Sequence, residues 1–295
     1  MRRANLENMI YGIKVVLKYL LGRDQAGRNF AVLPDDTMVV SYPRSGNTWT
    51  RFLIANLLQP RQAIGFANIE SLIPDTCTIS SRALKSIPRP RVIKSHEYFD
   101  HRYPKVIYVV RDPRDVTLSC YHFQRKYGQI NDGYSMERYV DDFVNGRLKL
   151  ASWGTWAENV ASWVSTRGGS SNFLLLRYED MLQDTRRELK RIAAFLRLSV
   201  TQEILETAIF NSSSQRMRVL ELQAQDQWVG TKTHRKDIPF VRVAEAGAWQ
   251  NSLPERSVAQ IEAAWGDLMT SLQYRLVTRT PEAQLASTLP AALWG

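Results

Sequence analysis

Cysteine is nearly missing from this chain: Cys77 and Cys120 are the two in 295 residues. They fall at no metal-ligand spacing, and two thiols without a secretory signature read as reduced, inert, buried side chains. A long uncharged apolar run is also missing. Met9–Leu21 is shorter than the roughly 20 residues a spanning helix needs, and it carries Lys14 and Lys18. There is no internal repeat and no low-complexity segment, so a single domain is the expectation. Hydrophobic residues at 44% and charged residues at 23% argue against extensive disorder. Acidic residues are outnumbered, 29 against 39 basic, leaving a net charge of +10. That excess suits phosphate-rich ligands, nucleic acid or an anionic membrane, and charge alone does not choose among them.

What is present begins with a helical pattern. Ile10, Ile13, Leu17, Leu20 and Leu21 recur at helical spacing among Arg2, Arg3, Lys14, Lys18 and Arg23. Residues 1–33 therefore read as a basic amphipathic helix and linker. The helix packs on the domain or, alternatively, makes peripheral membrane contact through residues 1–23. The expected location is cytoplasmic, peripheral to the membrane under that alternative. Residues 34–280 form the expected α/β domain and 281–295 a tail. Asn211-Ser212-Ser213 fits a glycosylation pattern, but nothing in the chain supports secretion.

Buried strands are predicted at Thr37–Ser41, Arg91–Lys94, Lys105–Val110 and Phe173–Leu176, each a short β-branched or aliphatic run. Helices are predicted over Thr48–Leu58, Asp115–Lys126 and Thr185–Leu196. Repeated strand-turn-helix units imply a mainly parallel central sheet flanked by helices. Ligands bind such sheets outside the carboxyl ends of the strands. Chemistry is thus expected in Tyr42–Thr48, Ser95–His96, Arg111–Ser119 and Arg177–Asp180.

Tyr42-Pro43-Arg44-Ser45-Gly46-Asn47-Thr48-Trp49 joins a strand to a helix N-terminus and makes a P-loop-like anion site. Gly46 lets the backbone approach an anion, Ser45 and Thr48 offer hydroxyls, and Arg44 adds charge. Asn47 stands where a Walker loop has lysine, which argues against nucleoside triphosphate hydrolysis or phosphoryl transfer. The competing reading of the segment is an ordinary capped helix start. Arg111 leaves its strand with a guanidinium able to grip phosphate in a fork, with the Ser119 hydroxyl on the next helix. A turn ion pair with Asp112 or Asp115 is its alternative. His96 suits general base work because its unperturbed pKa lies near neutrality. A hydrogen-bonded structural histidine is the other reading, and His101, His122 and His234 are given only that one.

The loop Tyr-Pro-Arg-Ser-Gly-Asn-Thr-Trp resembles the 5′-phosphosulfate loop of the sulfotransferases that use 3′-phosphoadenosine 5′-phosphosulfate (PAPS), commonly Tyr-Pro-Lys-Ser-Gly-Thr-Thr-Trp. Lys105–Phe123 is similar to that family's 3′-phosphate motif, and Lys94-Ser95-His96 to the segment carrying its base. Tyr178-Glu179-Asp180 and Phe240–Asn251 resemble two further motifs. The resemblance implies sulfuryl transfer from PAPS to an acceptor hydroxyl or amine, with no metal. It implies that Ser45, Gly46, Asn47 and Thr48 hold the 5′-phosphosulfate, and that Arg111, Ser119 and Arg242 hold the 3′-phosphate. His96 is then the base, while Arg44 and Lys94 stabilise charge on the sulfuryl and bridging oxygens. Trp49 and Tyr178 reach the adenine, and Ser212 and Ser213 lie in a nucleotide-contacting segment.

Three departures stand out. Ser214 replaces a stacking aromatic, Arg44 stands where many soluble members have lysine, and Val243-Ala244 replace the Lys-Gly after Arg242, implying either weaker cofactor affinity or compensation by Lys232, Arg235 or Lys236. The acceptor, a small molecule, carbohydrate or lipid rather than nucleic acid, is expected to meet a pocket within Phe123–Val164. The aromatics there (Tyr127, Tyr134, Tyr139, Phe143, Trp153, Trp156 and Trp163) suit a helix core equally well. No dimerisation segment of the family is recognisable around Ser252–Ile261, so the chain gives no oligomeric state. The rival functions are a P-loop-like nucleotide kinase or NTPase and a non-enzymatic binder of nucleic acid or membrane surfaces.

Overall fold

The computed structural model describes residues 21, 24–228, 230–242 and 244–278. The expected helix within residues 1–23, apart from Leu21, and the 281–295 tail lie outside them.

Four parallel strands form the sheet: β1 (Thr37–Ser41), β2 (Val92–Ser95), β3 (Lys105–Val110) and β4 (Phe173–Arg177), in the order β2-β1-β3-β4. Thr37 sits opposite Val92 on one side and Lys105 on the other, and Val106 sits opposite Phe173. All five residues of β1 are buried, as a central strand covered on both faces must be. Arg91, expected inside β2, instead precedes it and ion-pairs with Asp36 at 2.6 Å in the interior. That paired guanidinium spares a buried charge its desolvation cost at the strand entry.

The helices in chain order are α1 (Asn47–Leu58), α2 (Ile69–Leu72), α3 (Ser81–Lys85), α4 (Pro113–Lys126), α5 (Met136–Val144) and α6 (Trp156–Arg167). They continue with α7 (Tyr178–Gln183), α8 (Thr185–Phe195), α9 (Gln202–Asn211), α10 (Ser214–Ala224) and α11 (Glu255–Ser271). Successive strand residues face opposite sides, so each strand feeds two cores. Met38, Val40, Val106, Tyr108 and Val110 pack with α4, α5, α6 and α11 through Val116, Tyr139, Trp156 and Ile261. Val39, Ile107, Val109, Leu174 and Leu176 pack with α1, α8 and α9 through Phe52, Leu189 and Leu205.

Tyr139, Phe143, Trp156 and Trp163 belong to this core and not to an acceptor pocket. Burying a large side chain of this kind is worth about 1.5–3 kcal/mol, which is the role their segment spends them on. Two of these tryptophans also tie down strand ends. The Trp156 indole donates to the Arg111 carbonyl at 3.2 Å and that of Trp163 to the Glu97 carbonyl at 2.9 Å. Between them on α6, Asn159 donates to the carbonyls of His96 and Trp153 and accepts from the Tyr108 hydroxyl. One helix face thereby fixes the backbone just after β2 and β3.

Candidate active site

The ends of β1, β2 and β3 open into one cavity of about 650 Å³. At its floor, the loop from β1 to α1 turns through two left-handed residues, Arg44 (φ 67°) and Gly46 (φ 101°). Gly46 is required twice over: by its backbone, and because a Cβ there would stand 2.5 Å from the Tyr178 ring. No side chain caps α1, so the first amides of that helix face the cavity end without a built-in partner. Ser45 is fully buried and its Oγ has no partner among the described residues; the same holds for Asn47 Oδ1 and Arg111 Nε. Orphaned buried polar atoms cost stability; the Ser45 hydroxyl and the Arg111 Nε–H are donors that an anionic group would satisfy, whereas Asn47 Oδ1 is an acceptor that an anion leaves unpaired.

Asn47, in the position of a Walker lysine, turns its amide inward to the Val39 carbonyl (3.1 Å) and Ser41 Oγ (3.2 Å). It therefore braces the loop against β1. Thr48, Trp49 and Tyr178 line the cavity, with the two aromatic rings edge-to-face at 5.7 Å. Ser213 and Ser214 line the same end, whereas Ser212 does not: it is buried and its hydroxyl accepts from Asn56 at 3.2 Å. The helix start explains the split, because Ser213 caps α10 through the Arg216 N–H and leaves Ser212 behind it.

Three guanidiniums converge on this side. Asp112 caps α4 through the Arg114 N–H and Pro113 follows in its first turn, so α4 starts two residues before the expected Asp115. Arg111, just before that cap, lies with its guanidinium 4.3 Å from the Tyr178 ring and 3.6 Å from Asp115, and donates to the Glu245 carbonyl at 2.9 Å. The ion pair expected as the alternative for Arg111 is thus present, with Asp115, and the guanidinium also lies on the cavity wall. Asp115 also accepts from the N–H groups of Gly247 (2.8 Å) and Trp249 (3.1 Å). Glu221 accepts from those of Phe240 (2.6 Å) and Val241 (2.8 Å). The segment carrying Arg242 is thereby pinned at both ends.

Burial and the neighbouring charges of Arg44 and Arg111 push Arg242 down to about 10. Burial, opposed in part by nearby acidic groups, also lowers Arg44. Arg44 donates to Ser119 Oγ at 3.2 Å and to the Phe240 carbonyl at 3.1 Å, between the rings of Phe123 and Phe240. Like charges held this close in a shielded cavity are arranged for a polyanion. Lys232, Arg235 and Lys236 are not on the cavity wall; Arg235 pairs with Asp132 and Asp237, and Lys236 with Asp226.

At the other end, His96 Nδ1 lies 2.8 Å from the Ser41 carbonyl, an acceptor only. The proton must then sit on Nδ1, which leaves Nε2 as a bare acceptor. Burial, with help from the Lys94 charge, pushes His96 down to about 3, so the ring is neutral near pH 7. Lys94 is buried on β2 and ion-pairs with Asp75. Trp153 stands edge-to-face with His96 at 5.6 Å, and Leu150, Phe123, Tyr127 and Trp228 add apolar surface to the cavity wall, Phe123 beside Arg44. Of the aromatics expected to surround an acceptor, Phe123, Tyr127 and Trp153 are the ones on it.

Sequence reasoning missed Arg51, Glu70, Asp75 and His234, all of which line the cavity. The first three precede β2 or sit on the far side of α1 with no motif to mark them. His234 packs on Tyr127 with ring centroids 3.7 Å apart, a contact between distant segments.

A parallel sheet with an anion loop after β1, the guanidinium of Arg111 after β3 joined by those of Arg44 and Arg242, and a neutral histidine after β2 defines a group-transfer enzyme fold built around a nucleotide-like anion. The family model for the sulfotransferase domain matches residues 34–273, and the chain belongs to that family. Among curated relatives, mouse sulfotransferase 1A1 is 28% identical over 276 residues, covering 88% of this chain and 93% of the relative. Mouse sulfotransferase 2B1 is 28% identical over 242 residues, covering 79% and 70%. In fold, the chain is similar to retinol dehydratase in complex with androsterone and inactive cofactor PAP (TM-score 0.65, 23% identity, 86% and 85% of the chains). It is similarly close to mouse sulfotransferase SULT7A1 complexed with PAP (TM-score 0.64, 24% identity, 81% and 86%).

Proposed function

We propose that this protein transfers the sulfuryl group of PAPS to a hydroxyl of a small, largely apolar acceptor. The observation that carries the reading is the polarity of one cavity: three guanidiniums and an amide-lined loop at one end, and a histidine with a bare Nε2 at the other.

Arg111, Arg242 and Ser119 hold the 3′-phosphate, with Arg44, bonded to Ser119, adding its charge to the phosphates. The loop amides, Ser45 Oγ and Thr48 hold the 5′-phosphosulfate. Trp49 and Tyr178 flank the base. His96 Nε2 takes the proton of the acceptor hydroxyl as its oxygen bonds to sulfur and the sulfur–oxygen bond to the 5′-phosphate breaks. Lys94 stabilises charge on the sulfuryl oxygens, a preorganised electrostatic contribution. Adenosine 3′,5′-bisphosphate (PAP) leaves. The apolar wall of Leu150, Trp153, Phe123 and Trp228 supports an aromatic or alicyclic alcohol. Retinol dehydratase, similar to this chain in fold, is seen in a complex with retinol and PAP.

The test is turnover of labelled PAPS against a panel of phenols and alcohols with wild type and His96→Ala. The variant is expected to lose about 10²–10⁴-fold in kcat while PAP still raises its melting temperature. Full turnover by His96→Ala would remove His96 from the mechanism.

A further inference from the structure

Behind the Lys94–His96 pair lies a charged cluster that the transfer reaction as written does not use. Lys94 and His96 are two residues apart at the end of β2, and both line the cavity. The Lys94 ammonium donates to Asp75 Oδ2, and both side chains are about nine-tenths buried. Asp75 is itself held on two sides: its Oδ1 accepts from the Cys77 N–H at 2.9 Å, and its own N–H donates to Glu70 Oε2 at 3.1 Å. Glu70 ion-pairs in turn with Arg51 of α1 at 3.1 Å. The backbone is locked to match, with the Lys94 N–H bonded to the Pro74 carbonyl (2.8 Å) and the Thr76 N–H to the Lys94 carbonyl (3.1 Å). Asp75 pairs with Lys94 as an isolated parallel bridge at the free edge of β2.

We infer that Asp75 is a positioning residue for sulfuryl transfer: it anchors the Lys94 ammonium beside His96 so that the cation meets the sulfuryl oxygens. A lysine stem has four rotatable carbons, and a buried ammonium without a counter-ion turns out to water or sheds its proton. Asp75 prevents both, and its backbone anchors fix where the charge sits. This inference rests on the sulfuryl-transfer reading above.

The test is a double-mutant cycle on Asp75→Asn and Lys94→Met. Asparagine keeps an oxygen for the Cys77 N–H and removes the charge. With an acceptor that wild type sulfates, D75N is expected to lose about 10- to 100-fold in kcat, with both KM values within about threefold. The D75N/K94M variant is expected to turn over within about threefold of K94M, because Asp75 acts mainly through Lys94 and its charge has a smaller effect on His96. Wild-type kcat in D75N, or a larger further loss in the double variant, overturns the inference. If D75N alone does not fold, the neutral pair against K94M still decides, since removing both charges leaves none uncompensated. A wild type that sulfates none of the panel and is not stabilised by PAP removes the sulfuryl-transfer reading, and this inference with it.

Discussion

At the residue scale the site is governed by what each side chain is already bonded to. His96 presents an open Nε2 because the Ser41 carbonyl has claimed the proton on Nδ1, and burial keeps the ring neutral near pH 7 while making it a weaker base. The sign of the pH effect follows. The unfolded chain protonates its histidine near 6.5, whereas the folded site resists until about 3. The neutral ring's contribution to stability is therefore complete above 6.5 and is lost as pH falls through 3. Histidine-labelled protein observed by ¹⁵N NMR should show His96 protonated at Nδ1, bare at Nε2 and not titrating between about pH 5 and 8. An inflection near 6.5 would contradict this account of the base. Asn47 makes the same point in reverse: its amide is spent inside the loop, so the position that would carry a phosphate-binding lysine has a bracing role instead.

At the element scale, helix starts and strand ends place the chemistry. The left-handed pair Arg44 and Gly46 turns the chain after β1, the Asp112-Pro113 cap ends the turn after β3, and α6 ties down the backbone after β2 and β3. The segment from Phe240 to Trp249 is the exception, since it has no regular structure until its last turn and hangs on Asp115 and Glu221. Ala244 within it adopts φ 55°, a left-handed conformation that suits the glycine found at this motif position in related enzymes. Ala244→Gly should relieve about 1 kcal/mol of backbone strain and raise the melting temperature by a few degrees. A lower melting temperature would show that the alanine conformation is not strained. The cations of the upstream loop, Lys232, Arg235 and Lys236, do not line the cavity, and Arg235 and Lys236 are held in ion pairs with Asp132, Asp237 and Asp226.

At the scale of the whole molecule, the parts legible in the sequence are those set by short-range pattern. The buried runs mark the four strands within a residue or two, and the residues following them supply Arg44, Thr48, His96, Arg111 and Ser119 of the cavity, while Arg51, Glu70, Asp75 and Arg242 come from elsewhere. Long-range pairings were not legible. Nothing local marks Asp75 as the partner of Lys94, or separates Ser213 on the cavity from Ser212 behind it. Nor does local pattern divide the aromatics of residues 123–164, because a tryptophan in a core and one on a pocket wall look alike until the helices pack. Among the described residues no helix is long and apolar enough to cross a membrane.

The central claim, that the convergent arginines and the loop after β1 recognise a 3′,5′-bisphosphorylated adenosine, is tested most directly by thermal-shift titration of the full chain with PAP, ADP and MgATP. PAP is expected to raise the melting temperature in a saturable way, with ADP at least about tenfold weaker for want of the 3′-phosphate proposed to meet Arg111 and Arg242. Stabilisation by MgATP with no response to PAP would contradict the account.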